Sequence, residues 1–133
     1  MLIFETDSKP FGQNGISWFA PFFIVIWKHS LERSRVIQNE LVHVEQWKEC
    51  AALATLLTTP LVLSGILPLL GALTLIWASF LGTYLAVYAY GRAIMGRTRR
   101  EGYLSHPMEI DSRTWDDGNL KNRPRFAWLR YFA

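Results

Sequence analysis

The chain has 133 residues, of which 50% are hydrophobic, 14% aromatic and 19% charged, with a net charge of +3. That length holds one domain without room for a second hydrophobic core, and the composition excludes intrinsic disorder, which needs few aromatics and many charges. So small a net charge argues against a nucleic-acid partner, and one cysteine, Cys50, excludes an internal disulfide or a cysteine-based zinc knuckle.

Residues 1–33 form an N-terminal region. Its opening, MLIFETDSKP, turns acidic at once, so no cleaved secretory leader is expected. The stretch ISWFAPFFIVIW (Ile16 to Trp27) is rich in aromatic and β-branched residues and contains Pro21. It is too short for a helical crossing and predicts a strand or hairpin at the membrane interface. The competing reading is a third span reaching back to Phe11. KHSLERSR follows as a polar link, with His29 in solvent. From Ser34, the residues Val36, Ile37, Leu41, Val42 and Val44 recur at helical spacing, predicting a motif helix over 34–49 that continues into the next segment.

Cys50 to Gly91 contains no Asp, Glu, Lys, Arg, His, Asn or Gln. One crossing takes about 20 residues, so residues 50–91 predict a helical transmembrane hairpin with its turn at SGILP, Ser64 to Pro68. A soluble alternative asks the rest of the chain, which carries every charge, to wrap two helices that are apolar all round. Pro60 interrupts the first arm and leaves a re-entrant hairpin open. Ala78, Gly82 and Ala86 form a small-residue stripe suited to close packing of the arms. Arg33, Arg35 and Lys48 precede the run, and Arg92, Arg97, Arg99 and Arg100 follow it, which places both flanks in the cytoplasm. In residues 92–133, SHPMEIDSRTW offers Ser105 or His106 as N-cap and Pro107 as first residue of a short C-terminal helix. DDGNLKNRPR predicts a loop, and RFAWLRYFA suits a membrane-surface anchor and simple packing onto the domain equally.

Chemistry concentrates in QNELVHVEQW, Gln38 to Trp47. On a helix Asn39 and Glu40 share a face with His43, and Gln46 extends it. That is the geometry of an HExxH zinc helix, here written Asn39-Glu40-Leu41-Val42-His43. A lone ExxH is more often just the polar face of an amphipathic helix leaving a membrane. Beyond the apolar run, HPMEIDSR places Glu109 in a helix start between His106 and Asp111.

Together, VIQNELVHVEQW, the apolar run and HPMEIDSR resemble small bacterial and phage proteins of the HExxH-x-x-Q type, similar in layout to minimal gluzincin metallopeptidases. The resemblance spans Ile16 to Arg113 and rests on two short motifs. It implies that a strand leads into the motif helix, that Glu40 is the general base, and that His43 and Glu109 are zinc ligands. Gln46 matches the family's glutamine, and with Asp111 it would support the ligands. Asn39 stands where the first histidine ligand belongs, and Asn is a poor zinc ligand beside imidazole. His106 lies outside the match. The spacing alone adds a different possibility: Glu40-x-x-His43 and His106-x-x-Glu109 are mirror images, and on antiparallel helices they make a four-residue set for zinc or iron.

The expectation is a mainly α, single-domain integral membrane protein whose partner is the lipid bilayer. Its metallopeptidase-like site would face the cytoplasm and hydrolyse a peptide or amide bond with zinc. Two alternatives are a non-catalytic membrane scaffold descended from that family and an iron-dependent oxidoreductase using the Glu-x-x-His unit.

Overall fold

The computed structural model describes residues 1–9, 14–17 and 21–132. Three strands, β1 (Leu2–Thr6), β2 (Gly15–Ile16) and β3 (Phe23–Trp27), precede four helices: α1 (Arg33–Leu63), α2 (Leu69–Ala93), α3 (Arg99–Leu104) and α4 (Pro107–Thr114). The fold is mainly helical. Short 3₁₀ segments at Leu120–Asn122 and Ala127–Phe132 close the chain.

The strands form one small mixed sheet in the order β1-β3-β2, with β1 parallel and β2 antiparallel to β3. β3 is the strand expected within Ile16–Trp27, and its alternation shows why it forms. Ile24 and Ile26 are fully buried, while Phe23, Val25 and Trp27 on the other face are half-buried. The buried pair packs on Val36, Ile37, Val44 and Trp47 of α1. Strand conformation at β2 and β3 rules out a helical span from Phe11 through Trp27, although residues 10–13 and 18–20 lie outside the described residues. His29 is exposed beside Asp7.

α1 begins one residue before the expected start and runs unbroken past Pro60. The turn at 64–68 lies where Gly and Pro placed it, with Gly65 at φ +74°, and α2 packs along α1 from there. The small-residue stripe does not mediate that packing. Gly82 and Ala86 are exposed, and a Cβ built on Gly82 meets nothing; Ala72 and Phe80 are the buried hydrophobic side chains of α2. Among the described residues, α2 alone has the length and apolarity that a membrane crossing needs. α1 fails the test because charged residues continue along it as far as Glu49.

α3 was not foreseen. Thr98 and Glu101 cap it with reciprocal hydrogen bonds, a box plainly written as Thr-Arg-Arg-Glu but easily passed over as a cationic flank. α4 starts as expected, with His106 as N-cap and Pro107 at the first helical position. The C-terminal aromatic segment packs inward: Ala127 and Trp128 are buried, and Trp128 joins Cys50, Phe80 and Met108 in the second core cluster.

Candidate functional site

The site lies where α1, α2 and α4 meet. Residues 40, 43, 46 and 49 of α1 are three apart, a row that winds gradually round the helix from Glu40 to Glu49, and all four are buried. Opposite them α4 presents Met108, Glu109, Asp111 and Ser112, also buried. Polar side chains withdrawn from water in such numbers require partners, and here they find one another.

Gln46, with no exposed surface, is the hub. Its Nε2 donates to the carbonyl of Met108 (2.9 Å) and to Asp111 Oδ2 (2.8 Å). Both are acceptors, which turns the amide oxygen toward His43 Nδ1 at 2.7 Å and makes that ring nitrogen the donor. In the neutral ring the lone pair is therefore on Nε2. That atom faces Glu109 Oε1 at 3.6 Å, and the same oxygen accepts from the Tyr84 hydroxyl of α2 at 2.8 Å.

Glu40 sits one turn before His43. β2 crosses Glu40 so closely that a Cβ on Gly15 would lie 2.8 Å from Glu40 Oε1 and 2.9 Å from Glu40 Cγ and Val36 Cγ1, so any side chain there would push Glu40 or Val36 aside. Burial raises the Glu40 pKa, and the neighbouring Glu109 adds to the rise, while His43 and a hydrogen bond from Ser17 offset it. Glu40 therefore holds a proton more tightly than a free glutamate does. Asn39 also reaches α4, donating through Nδ2 to Ser112 Oγ at 2.9 Å.

Behind the hub lies a buried ion cluster that the sequence reading missed. Arg123 makes two bonds to Glu49 (2.7 and 3.1 Å) and two to Asp111 Oδ2 (2.9 and 2.7 Å). Glu49 also accepts from the Phe126 backbone and the Trp128 indole. Burial works against the guanidinium charge, yet the two carboxylates outweigh it and raise the Arg123 pKa. Extending the three-residue spacing from Glu40 through Gln46 marks Glu49; no local signal marks Arg123, Tyr84 or Gly15.

The sequence-derived candidates thus separate. Glu40, His43 and Glu109 converge on one cavity of about 680 Å³, and Asn39 borders it. Tyr84, Tyr88, Tyr103, Phe80 and Leu85 line its walls. Gln46 and Asp111 stand behind His43 as its support. His106 does not join the set: its Nδ1 accepts from Met108 N, and its Nε2 donates to the Tyr84 carbonyl (3.0 Å) beneath the stacked Tyr84 ring. Burial lowers the His106 pKa and favours the neutral ring.

Two ligands bound to one zinc at about 2.0–2.1 Å in tetrahedral geometry lie roughly 3.3 Å apart, so the 3.6 Å between His43 Nε2 and Glu109 Oε1 fits a shared ion. Asn39, where the resemblance would put the remaining ligand, has its amide engaged with Ser112. Among the described residues no three His, Cys, Asp or Glu side chains group as a metal site. His43 and Glu109 by themselves do not make a metal centre. Compared with known proteins, the chain matches no family model, no curated protein and no solved structure.

Proposed function

We propose that this chain is a membrane-anchored, metallopeptidase-like protein whose site acts on, or in its reduced form holds, a peptide or amide group beside the bilayer. One observation carries the reading: Glu40, His43 and Glu109 share a cavity floor while Gln46 fixes the imidazole from behind. A hydrogen bond from the non-ligating ring nitrogen to a carbonyl or carboxylate is the usual support of a metal-binding histidine. For hydrolysis, the buried Glu40 carboxylate would take a proton from water and return it to the leaving amine. The Tyr84 hydroxyl donates its one proton to Glu109 and so fixes that carboxylate at the cavity wall. Because the donor set stops at two strong ligands, no step is assigned to a metal.

Membrane anchoring is supported by α2, of which only 11% of the most apolar window is buried; a soluble core helix is enclosed by its own protein. The α1–α2 pair inserts into the bilayer with both flanks on the cytoplasmic face, leaving the site on that side.

The second reading, a non-catalytic scaffold that kept the helix and lost a ligand, is favoured by the Asn39–Ser112 hydrogen bond, which commits the replaced position to structure. Zinc titration of purified protein in detergent separates the two. Asn39→His is expected to raise zinc uptake to one ion per chain and to initiate peptide hydrolysis, and Gln46→Leu in that background to weaken uptake about 10–100-fold. Unchanged uptake in Asn39→His, or uptake indifferent to His43→Ala, overturns the metallopeptidase-like layout.

A further inference from the structure

The α1–α2 pair has arms of unequal apolar length. Along α1 the last charged side chains open to solvent are Glu45 and Lys48, an exposed ion pair, and the next residue but one, Cys50, begins the uncharged run. From Glu49 to Leu63 the helix rises about 22 Å at 1.5 Å per residue. The outer face of α2 remains apolar much further. Leu70, Leu73 and Leu85 are bare, and beyond them Tyr90 and Ile94 are still 58% and 68% exposed. Cys50, where the uncharged run of α1 begins, meets Thr83 of α2 through a side-chain hydrogen bond. The part of α2 beyond Thr83 therefore lies alongside the charged part of α1.

An upright pair cannot satisfy both arms. Sunk as far as Lys48 permits, it leaves Tyr90 and Ile94 in water; sunk to Ile94, it drags the exposed Glu45–Lys48 pair into hydrocarbon, where charged side chains are strongly disfavoured. Tilting resolves the conflict, because the apolar side of α2 then lies on the lipid while the charged side of α1 faces water. Tilting also limits depth. Even upright, about 22 Å falls short of the roughly 30 Å hydrocarbon core.

The tip is made for hydrocarbon. Leu63, Ile66 and Leu70 are 82%, 73% and 77% exposed, and the turn has no charge. Its backbone N–H groups are satisfied internally: Ser64 bonds Pro60, Gly65 bonds Val62, and Ile66 and Leu67 both bond Leu61. Pro68 has no N–H to satisfy. The hydroxyls of Thr55, Thr58, Thr59, Thr74 and Ser79 all bond carbonyls of their own helix. Such closure lets the turn lodge among acyl chains.

We infer that the α1–α2 pair enters a single leaflet obliquely, outer face of α2 toward lipid and tip within the bilayer, and does not cross. The inference rests on the membrane reading above and specifies its geometry. Leu81 and Leu85 border the cavity as well as the lipid-facing side of α2, so the cavity mouth meets the membrane surface and is reached by substrates that are themselves attached there.

Nitroxide labels at Ser64→Cys and Tyr90→Cys test it, with the full chain reconstituted in phosphatidylethanolamine–phosphatidylglycerol vesicles and unsubstituted protein, whose Cys50 is buried, as the labelling blank. Relaxation by oxygen reports lipid and relaxation by an aqueous nickel complex reports water. Both labels are expected to be oxygen-accessible with nickel access lost. Nickel access at residue 64 with lipid at 90 means a crossing, and lipid at 64 with water at 90 means an upright plunge; either overturns the inference but leaves the membrane reading standing. Protein that fails to float with the vesicles overturns both. Leu70→Cys replaces Ser64→Cys should the turn variant misfold.

Discussion

The seam between α1 and α4 and the far half of the α1–α2 pair satisfy their polar groups in opposite ways. In the seam, partners come from distant sequence: Gln46 reaches Met108 and Asp111, 62 and 65 residues away, and the Trp128 indole reaches back 79 residues to Glu49. In the far half, hydroxyls bond carbonyls only three or four residues away. The difference follows the surroundings. A polar group enclosed by other elements can be met by any of them, but one on a helix face without protein neighbours can turn only to its own backbone. The seam is organised by the fold, and the bare half by the solvent it faces.

Substitutions at the two ends of that contrast should behave very differently. Arg123→Met leaves Glu49 and Asp111 as unpaired buried charges and is expected to cost about 3–5 kcal/mol in denaturant unfolding. A loss no larger than that of a surface arginine would deny the seam its organising role. His106→Asn gives an intermediate effect that depends on pH. The folded chain binds a proton at His106 less readily than the unfolded chain, whose histidine has the ordinary value near 6.5. Its stability contribution is therefore full above that pH and declines as pH falls below it, at up to about 1.4 kcal/mol per unit. Asn retains an N-cap acceptor and should flatten that part of the curve in a pH series of melts. Glu40 acts with opposite sign: its raised pKa adds stability in acid that is lost as pH rises through it, so its own removal should steepen the acid limb. Thr59→Val is expected to change stability by less than about 0.5 kcal/mol, because its hydroxyl only doubles a bond within its own helix. A large effect there would mean that Thr59 has a protein partner in a larger assembly.

Legibility in the sequence divides along the same line. The motif helix, the turn at Gly65, the cap at His106-Pro107 and the strand ending at Trp27 were all readable, since each depends on residues within a few positions of one another. The α1 stripe pointed correctly to Glu40, His43 and Gln46 as one face. Spacing misled at His106, whose mirror-image relation to Glu109 suggested a ligand. The imidazole is instead consumed as helix cap and as donor to Tyr84. It misled again at Gly82, where a small residue suggested contact and the helix face is open.

By itself the sequence determined the two long helices, the turn between them, the start of α4, and that one face of α1 must bury acid, amide and imidazole together, because periodicity and capping act through the local backbone. Only the tertiary structure decided who meets that face. Gly15 of β2 over Glu40, Tyr84 on Glu109, Arg123 between Glu49 and Asp111, and Ser112 on Asn39 are contacts between segments far apart along the chain. Which distant group fills a buried hydrogen-bonding position depends on how whole elements pack, and no spacing rule within one helix carries that information.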